Sequence, residues 1–189
     1  YKTFDDVEDK RFDGMIITGA PVEQLDFHEV NYWEELKGIF DWSLTHVYST
    51  LHVCWGAFAA LWHHYGIRKH PLAEKLFGIF EHEVLRPSNP LVRGFDDRFF
   101  VPHSRHTGLN LKDLAEFPLY LAAVPALRVL ASGRRTGPFL LSTENGRQIF
   151  VTGHPEYDLF TLDAEYRRDL EKGLEISVPE NYYPSDDPA

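Results

Sequence analysis

Ser49-Thr50-Leu51-His52-Val53-Cys54-Trp55-Gly56-Ala57-Phe58-Ala59-Ala60-Leu61-Trp62 is the stretch whose reading decides the fold. A β-branched and apolar run, Leu51 to Val53, leads directly into Cys54, the only cysteine in the chain. Small residues lead out of it at helical spacing, Gly56-Ala57 and then Ala59-Ala60-Leu61. Strand, sharp turn, helix is the geometry of a nucleophile elbow, which stands a side chain at the strand's carboxyl end over the helix's first turn. The free N–H groups and dipole of that turn favour an anion, and the thiolate is the nucleophilic form of cysteine. The same stretch also fits an inert cysteine in an α/β core, because free cysteine is among the most buried residue types. Taken alone, it leaves both readings open.

The flanking segments extend the pattern. Phe12 to Thr18 reads as a core strand, its apolar run continuous as in a parallel strand covered on both faces. Gly19-Ala20-Pro21 turns the chain at that strand's end, where ligands bind in open α/β sheets, so it is a candidate site wall. Asn31 to Leu44 places Trp33, Leu36, Phe40 and Leu44 near helical spacing. The helix after Cys54 should run to about Tyr65 and close at Gly66. Strands are expected over Leu76–Leu85, Arg98–Arg105, Leu127–Ala131, Phe139–Ser142 and Gln148–Val151, the last two joined by an Asn145-Gly146 hairpin. A helix follows over Thr161–Lys172, with Gly173 as its stop. Helices alternate with strands in the first half, so the expected class is α/β: a mainly parallel sheet flanked by helices, with a short antiparallel portion. No repeat or linker divides the chain. A single domain is expected over residues 1–178, followed by an acidic tail over 179–189 that contains Pro and Tyr and reads as a surface extension or as partly disordered.

Composition narrows the function. The 189 residues suffice for one compact domain, and 43% hydrophobic with 25% charged residues fits a soluble globular protein. No apolar run approaches the roughly 20 residues that span a bilayer, and no signal-peptide pattern is visible. One cysteine excludes an intrachain disulfide, which makes a reducing cytoplasm the simplest setting. The net charge of -10, without a basic run, argues against a nucleic-acid partner but leaves room for a local basic pocket. The chain starts at Tyr1 rather than Met, close to a buried-looking strand, which suggests a fragment or a processed chain.

A cysteine nucleophile needs a base, and the base an orienting group. Of the ten histidines, His154 stands directly after a strand in Gly153-His154-Pro155-Glu156. Pro155 stiffens the turn, and Glu156 lies close enough to hold the imidazole and set its tautomer. That makes a Cys54-His154-Glu156 triad with both reacting groups at strand carboxyl ends. The alternative is a surface turn whose His and Glu meet only water. Oxyanion stabilisation would come from the backbone N–H of Trp55 and from the Gly19-Ala20 turn. No metal is expected. His63 and His64 are adjacent in a helix and should face apart, His82 alternates in a strand, and His103 and His106 flank Ser104-Arg105 in one loop. Lys75, Arg105 and Arg168 are candidates for an anionic substrate, though each alone reads more readily as solvated surface charge. Arg168, in the helix after the turn, has the reach to bind a carboxylate bidentately.

Six segments together carry a resemblance: Thr18-Gly19-Ala20-Pro21, Cys54-Trp55-Gly56-Ala57, Ala73-Glu74-Lys75-Leu76-Phe77-Gly78, Arg93-Gly94-Phe95-Asp96-Asp97, Pro102-His103-Ser104-Arg105 and Val151-Thr152-Gly153-His154-Pro155-Glu156-Tyr157-Asp158. In this order, over nearly the whole chain, they resemble the homoserine O-acyltransferases of methionine biosynthesis, also called homoserine O-succinyltransferases. The resemblance implies the fold of class I glutamine amidotransferases and a ping-pong acyl transfer from acyl-CoA to L-homoserine. It implies Cys54 as acyl carrier, His154 as general base and Glu156 as its orienting group. Lys75, Ser104 and Arg168 fall on substrate-binding positions, with Arg168 fitting the homoserine carboxylate. Glu23 falls where glycine accompanies succinyl transfer and glutamate accompanies acetyl transfer. A carboxylate there repels the succinyl carboxylate and takes its space. Acetyl-CoA is therefore the expected donor, with no permanently bound cofactor, no nucleic acid or membrane partner, and a homodimer as the expected assembly.

Two departures from the family stand out. Phe58 replaces a more usual glutamine one helical turn past the cysteine and is expected to reshape the pocket. The family's N-terminal segment is absent, which suggests lower stability or activity for the chain alone. Other readings remain open: succinyl-CoA as donor, serine as acceptor, a glutaminase-type amidohydrolase on the same fold, or a non-catalytic binding module. Against the amidohydrolase stands the lack of a Gly-x-Cys-x-Gly elbow.

Overall fold

A computed structural model describes residues 1–110 and 126–188. Seven strands form one sheet: β1 Phe12–Ile17, β2 Val47–Val53, β3 His70–Val84, β4 Arg98–Gly108, β5 Leu127–Gly133, β6 Gly137–Thr143 and β7 Gln148–Val151. Their order across the sheet is β1-β2-β7-β6-β5-β3-β4. The β1–β2 and β2–β7 pairs are parallel, while β7–β6, β6–β5, β5–β3 and β3–β4 are antiparallel. The class is α/β and the sheet is mixed, as expected, but four of these six pairings are antiparallel, so the sheet is not the mainly parallel one expected: β3 to β6 join it by antiparallel pairing beyond the one hairpin that the sequence signals.

Three α-helices are described: α1 Trp33–His46, α2 Trp55–Tyr65 and α3 Thr161–Glu171. Helix α2 ends as its sequence requires, with Gly66 left-handed at φ 66° and its N–H donating to the Leu61 and Trp62 carbonyls. Phe40 from α1, Phe58 and Leu61 from α2, and Leu141 and Phe150 from the sheet are all fully or almost fully buried in one apolar cluster. Val101, Leu130, Ala131, Phe139 and Val151 form a second cluster. Gly56 shows why small residues follow the elbow: a Cβ there would lie 2.8 Å from the carbonyl oxygens of both Ile17 and Thr18. Only glycine lets α2 come this close to the end of β1.

Two further expectations need correction. Strand β1 is not covered on both faces; it is the sheet's edge, and Ile16 is 64% exposed. An apolar run cannot distinguish an edge strand from a central one. The tail is not a loose extension either, although its last residue, Ala189, lies outside the described residues. Glu180 pairs with Gly78 in a parallel bridge, donating to the Phe77 carbonyl and accepting from the Ile79 N–H. Gly78 has φ 139°, and a Cβ on it would sit 2.3 Å from the Glu180 oxygen, so this crossing needs glycine. Tyr183 then donates to Asp163 of α3 at 2.5 Å, and Tyr182 to the Leu159 carbonyl at 2.6 Å.

The sheet's register builds the site. Val53 at the end of β2 pairs with Val151 at the end of β7. The residues after each strand therefore emerge side by side, although they lie far apart in sequence.

Candidate active site

Cys54 caps α2 with φ 49° and ψ −119°, a conformation rarely adopted by a side-chain-bearing residue. Its N–H is held by the Val151 carbonyl at 2.8 Å, and its carbonyl accepts from Ala57 at 2.9 Å. The strained turn aims the thiol out of the strand end and leaves the N–H groups of the first turn of α2 without helical partners. Gly19 lies directly above: a Cβ on it would stand 3.3 Å from Cys54 Cβ and 3.7 Å from the Trp55 N. Gly19 therefore lies against the elbow and the Trp55 amide, in a space that a side chain at position 19 would fill.

His154 lies on the β7 side. Its N–H donates to the Pro102 carbonyl at 2.9 Å, and its Nδ1–H donates to Glu156 Oε1 at 2.7 Å. That second bond leaves Nε2 free for proton exchange. Burial works to lower the His154 pKa, but hydrogen bonds and charge from Cys54 and Glu156 outweigh it and raise the value to about 9. Glu156 is pushed the other way: burial opposes its ionisation, yet the His154 bond holds the carboxylate below its usual range. Cysteine, histidine and carboxylate are brought together as expected.

These residues open onto a cleft of about 690 Å³ that is also lined by Gly19, Ala20, Glu23, Lys75, Ser104 and Arg168. Apart from Arg105 and Phe58, every side chain singled out from the sequence for the site therefore reaches one cleft. Glu23 is fixed in its wall: Oε1 accepts from the His106 N–H at 3.0 Å and Oε2 from the Thr107 hydroxyl at 3.5 Å. Lys75 and Arg168 both approach Asp169, at 3.5 and 2.7 Å, so a buried carboxylate sets the two cations side by side.

Other readings change. Arg105 is not solvated; it is 1% exposed, donating to the Thr107 and Thr136 carbonyls and to His103 Nδ1. Burial lowers its pKa to about 10. His103 belongs to β4, not a loop, and bonds His82 at 3.1 Å, while His82 Nδ1–H donates to the Phe80 carbonyl. Phe58 is 1% exposed, packs in the α1–α2 core and does not line the cleft. His63 and His64 do not diverge: with Asp41 they offer ligand atoms within 4.8 Å of one another. This is the one such group among the described residues, and it lies outside the cleft. His63 there pairs with Asp41 at 2.7 Å, while burial lowers the pKa of His64 to about 4.

Sequence reasoning missed Tyr157, Glu165 and Asp169, all of which line the cleft. Glu165 stands three residues before Arg168 on α3, a spacing that shares one helix face and would have pointed to it.

A strained cysteine elbow and a His-Glu pair at the ends of neighbouring parallel strands sit on the class I glutamine amidotransferase fold. A glutamine amidotransferase from Thermotoga maritima shares this fold with TM-score 0.63 and 12% identity, covering 85% of this chain and 66% of that one. A glutamine amidotransferase from Methylobacillus flagellatus does so with TM-score 0.62 and 8% identity, covering 93% of this chain and 82% of that one. Within that fold the chain belongs to the homoserine O-succinyltransferase family, whose model matches residues 1–189. Homoserine O-acetyltransferase of Acetivibrio thermocellus is 58% identical over 188 residues, 100% of this chain and 59% of that protein. The protein of the same name from Brevibacillus brevis is 55% identical over 189 residues, 100% of this chain and 60% of its own length. The chain thus spans about three-fifths of the curated relatives it matches. No helix among the described residues is long and apolar enough to cross a membrane.

Proposed function

We propose that this chain carries the catalytic site of a homoserine O-acetyltransferase, moving an acetyl group from acetyl-CoA to the hydroxyl of L-homoserine through a cysteine thioester. The observation that carries the reading is the juxtaposition of Cys54, His154 and Glu156 at neighbouring strand ends, beside a fixed Glu23. The Cys54 thiolate attacks the thioester carbonyl, and the collapsing intermediate expels CoA, whose sulfur takes the proton from His154. His154, now neutral, accepts the proton of the homoserine hydroxyl as that oxygen attacks the acyl-enzyme. Cys54 leaves as thiolate with O-acetylhomoserine as the product. Exchange of one thioester for another is nearly isoenergetic, so the acyl-enzyme keeps the donor's activation.

The Trp55 amide and the Gly19-Ala20 turn would hold the oxyanion in both steps. Arg168 would take the homoserine carboxylate, with Lys75 and Ser104 completing the acceptor site. The Glu23 carboxylate, held by β4, disfavours a succinyl carboxylate and favours acetyl. The names of the curated relatives support the same donor. The reading includes a cytoplasmic setting, no resident cofactor and a homodimeric assembly.

Intact-protein mass spectrometry after mixing with acetyl-CoA or succinyl-CoA tests it. An acetyl adduct that is absent in Cys54→Ala and discharged by homoserine is expected. A succinyl adduct alone would overturn the donor assignment, and ammonia release from glutamine would overturn the reaction class.

A further inference from the structure

The Tyr157 ring lies stacked on the His154 imidazole, with centroids 4.2 Å apart and planes 21° from parallel. The Tyr157 hydroxyl donates to Glu165 Oε1 at 2.5 Å, and the Ser104 hydroxyl donates to Glu165 Oε2 at 2.6 Å. One carboxylate on α3 thus ties a residue of β4 to the ring that covers the base. Glu165 also lines the cleft. Burial, together with the Glu165 bond, keeps the Tyr157 phenol protonated far above its usual range, so it acts as a fixed donor and not as an acid.

Glu156 fixes only one edge of the imidazole, through Nδ1. A single hydrogen bond leaves the ring free to rock about the axis through that bond. A stacked aromatic removes this freedom. A stacked ring can hold a plane only if it is itself held, and Glu165 is the group that holds it.

We propose that Tyr157 and Glu165 are positioning residues for His154: Glu165 anchors the tyrosine, whose ring sets the imidazole plane that faces Cys54. Through its second oxygen, Glu165 links this plane to Ser104, on the acceptor side of the cleft. The inference rests on Cys54 and His154 working as a pair, but not on the identity of donor or acceptor.

Alkylation of Cys54 by iodoacetamide, followed from pH 5 to 10, tests it without any acyl substrate. Rates are compared for the unaltered protein, Tyr157→Phe, which keeps the stack and loses the anchor, Glu165→Gln and Tyr157→Leu. Arg167→Ala, on the exposed side of α3, is the control, and thermal melting checks each fold. A shifted pH midpoint and a rate at pH 7 lowered at least threefold are expected in Tyr157→Phe and Glu165→Gln. A larger loss is expected in Tyr157→Leu and no change in the control. Profiles in melting-competent Tyr157→Phe and Glu165→Gln that superimpose on the unaltered protein would overturn the proposal, as would an equal shift in the control. If the unaltered protein shows no acyl transfer but these profiles still separate, the function is wrong and the positioning role stands.

Discussion

The Cys54 N–H donates to the Val151 carbonyl at 2.8 Å. This bond continues the parallel β2–β7 ladder one residue past its last pair and seats the elbow against the strand that delivers His154. The Cys54 backbone and the strand that leads to His154 are therefore one hydrogen-bonded unit, and the strain at Cys54 is held in place by the sheet.

Cys54→Ala and Cys54→Gly both abolish the acyl adduct, but they differ in stability. A backbone at φ 49°, ψ −119° costs on the order of 1–3 kcal/mol with a side chain attached, and glycine largely removes that cost. The glycine variant should melt above the alanine variant. Equal melting temperatures would show that the elbow stores no strain.

Gly56→Ala places a Cβ 2.8 Å from two backbone oxygens of the β1 end, and neither oxygen can move without the strand. The expected cost is about 1–3 kcal/mol of stability, by overpacking. Helix α2 must also shift from the Gly19 turn, so the rate of acyl-enzyme formation should fall by at least tenfold. Denaturant melts and stopped-flow acylation read the two effects separately.

Glu23→Gly removes the carboxylate that His106 and Thr107 hold in the cleft wall. The variant should accept succinyl-CoA, and the ratio of succinyl to acetyl transfer should rise at least tenfold in a competition assay. An unchanged ratio would mean that the acyl pocket lies elsewhere in the cleft.

Stability should peak near pH 6.5. Burial lowers the pKa of His52 to about 3, of His64 and His82 to about 4, and of His103 well below its usual value. Below pH 6.5 the unfolded chain takes up protons that these folded imidazoles refuse, so stability falls with pH, by about 1.4 kcal/mol per unit for each group. The His154 value, raised to about 9, acts in the other direction. Its contribution is complete below pH 6.5 and is lost as pH rises through 9. A melting temperature that stays level from pH 6.5 to 5, or that climbs steadily to pH 9, contradicts one arm or the other.

Much of the site was legible because it is built from local signals. The elbow shows in the change from β-branched to small residues around Cys54, and the His154-Glu156 pair is two residues apart. What escaped depends on contacts between distant segments. Arg105 reads as a surface charge in any strand pattern, and only its chain of bonds to His103, Thr107 and Thr136 explains its burial. The contacts of Tyr157 and Glu165 depend on how α3 lies against β4, which no periodicity encodes. The edge position of β1 was hidden because the same apolar run serves at the rim or the centre of a sheet. Phe58, standing where the resembled family more often has glutamine, was expected to reshape the pocket, but it is buried in the α1–α2 core.

Glu180 threads past Gly78 and works as a clasp on the strand that carries Lys75. Trimming the chain after Val178, as is often done to tidy a terminus for crystallisation, would strip the Phe77 carbonyl and the Ile79 N–H of their partners and release Arg135 from Glu180. A shortened version would thus hold Lys75 less firmly in the cleft that Cys54 and His154 line.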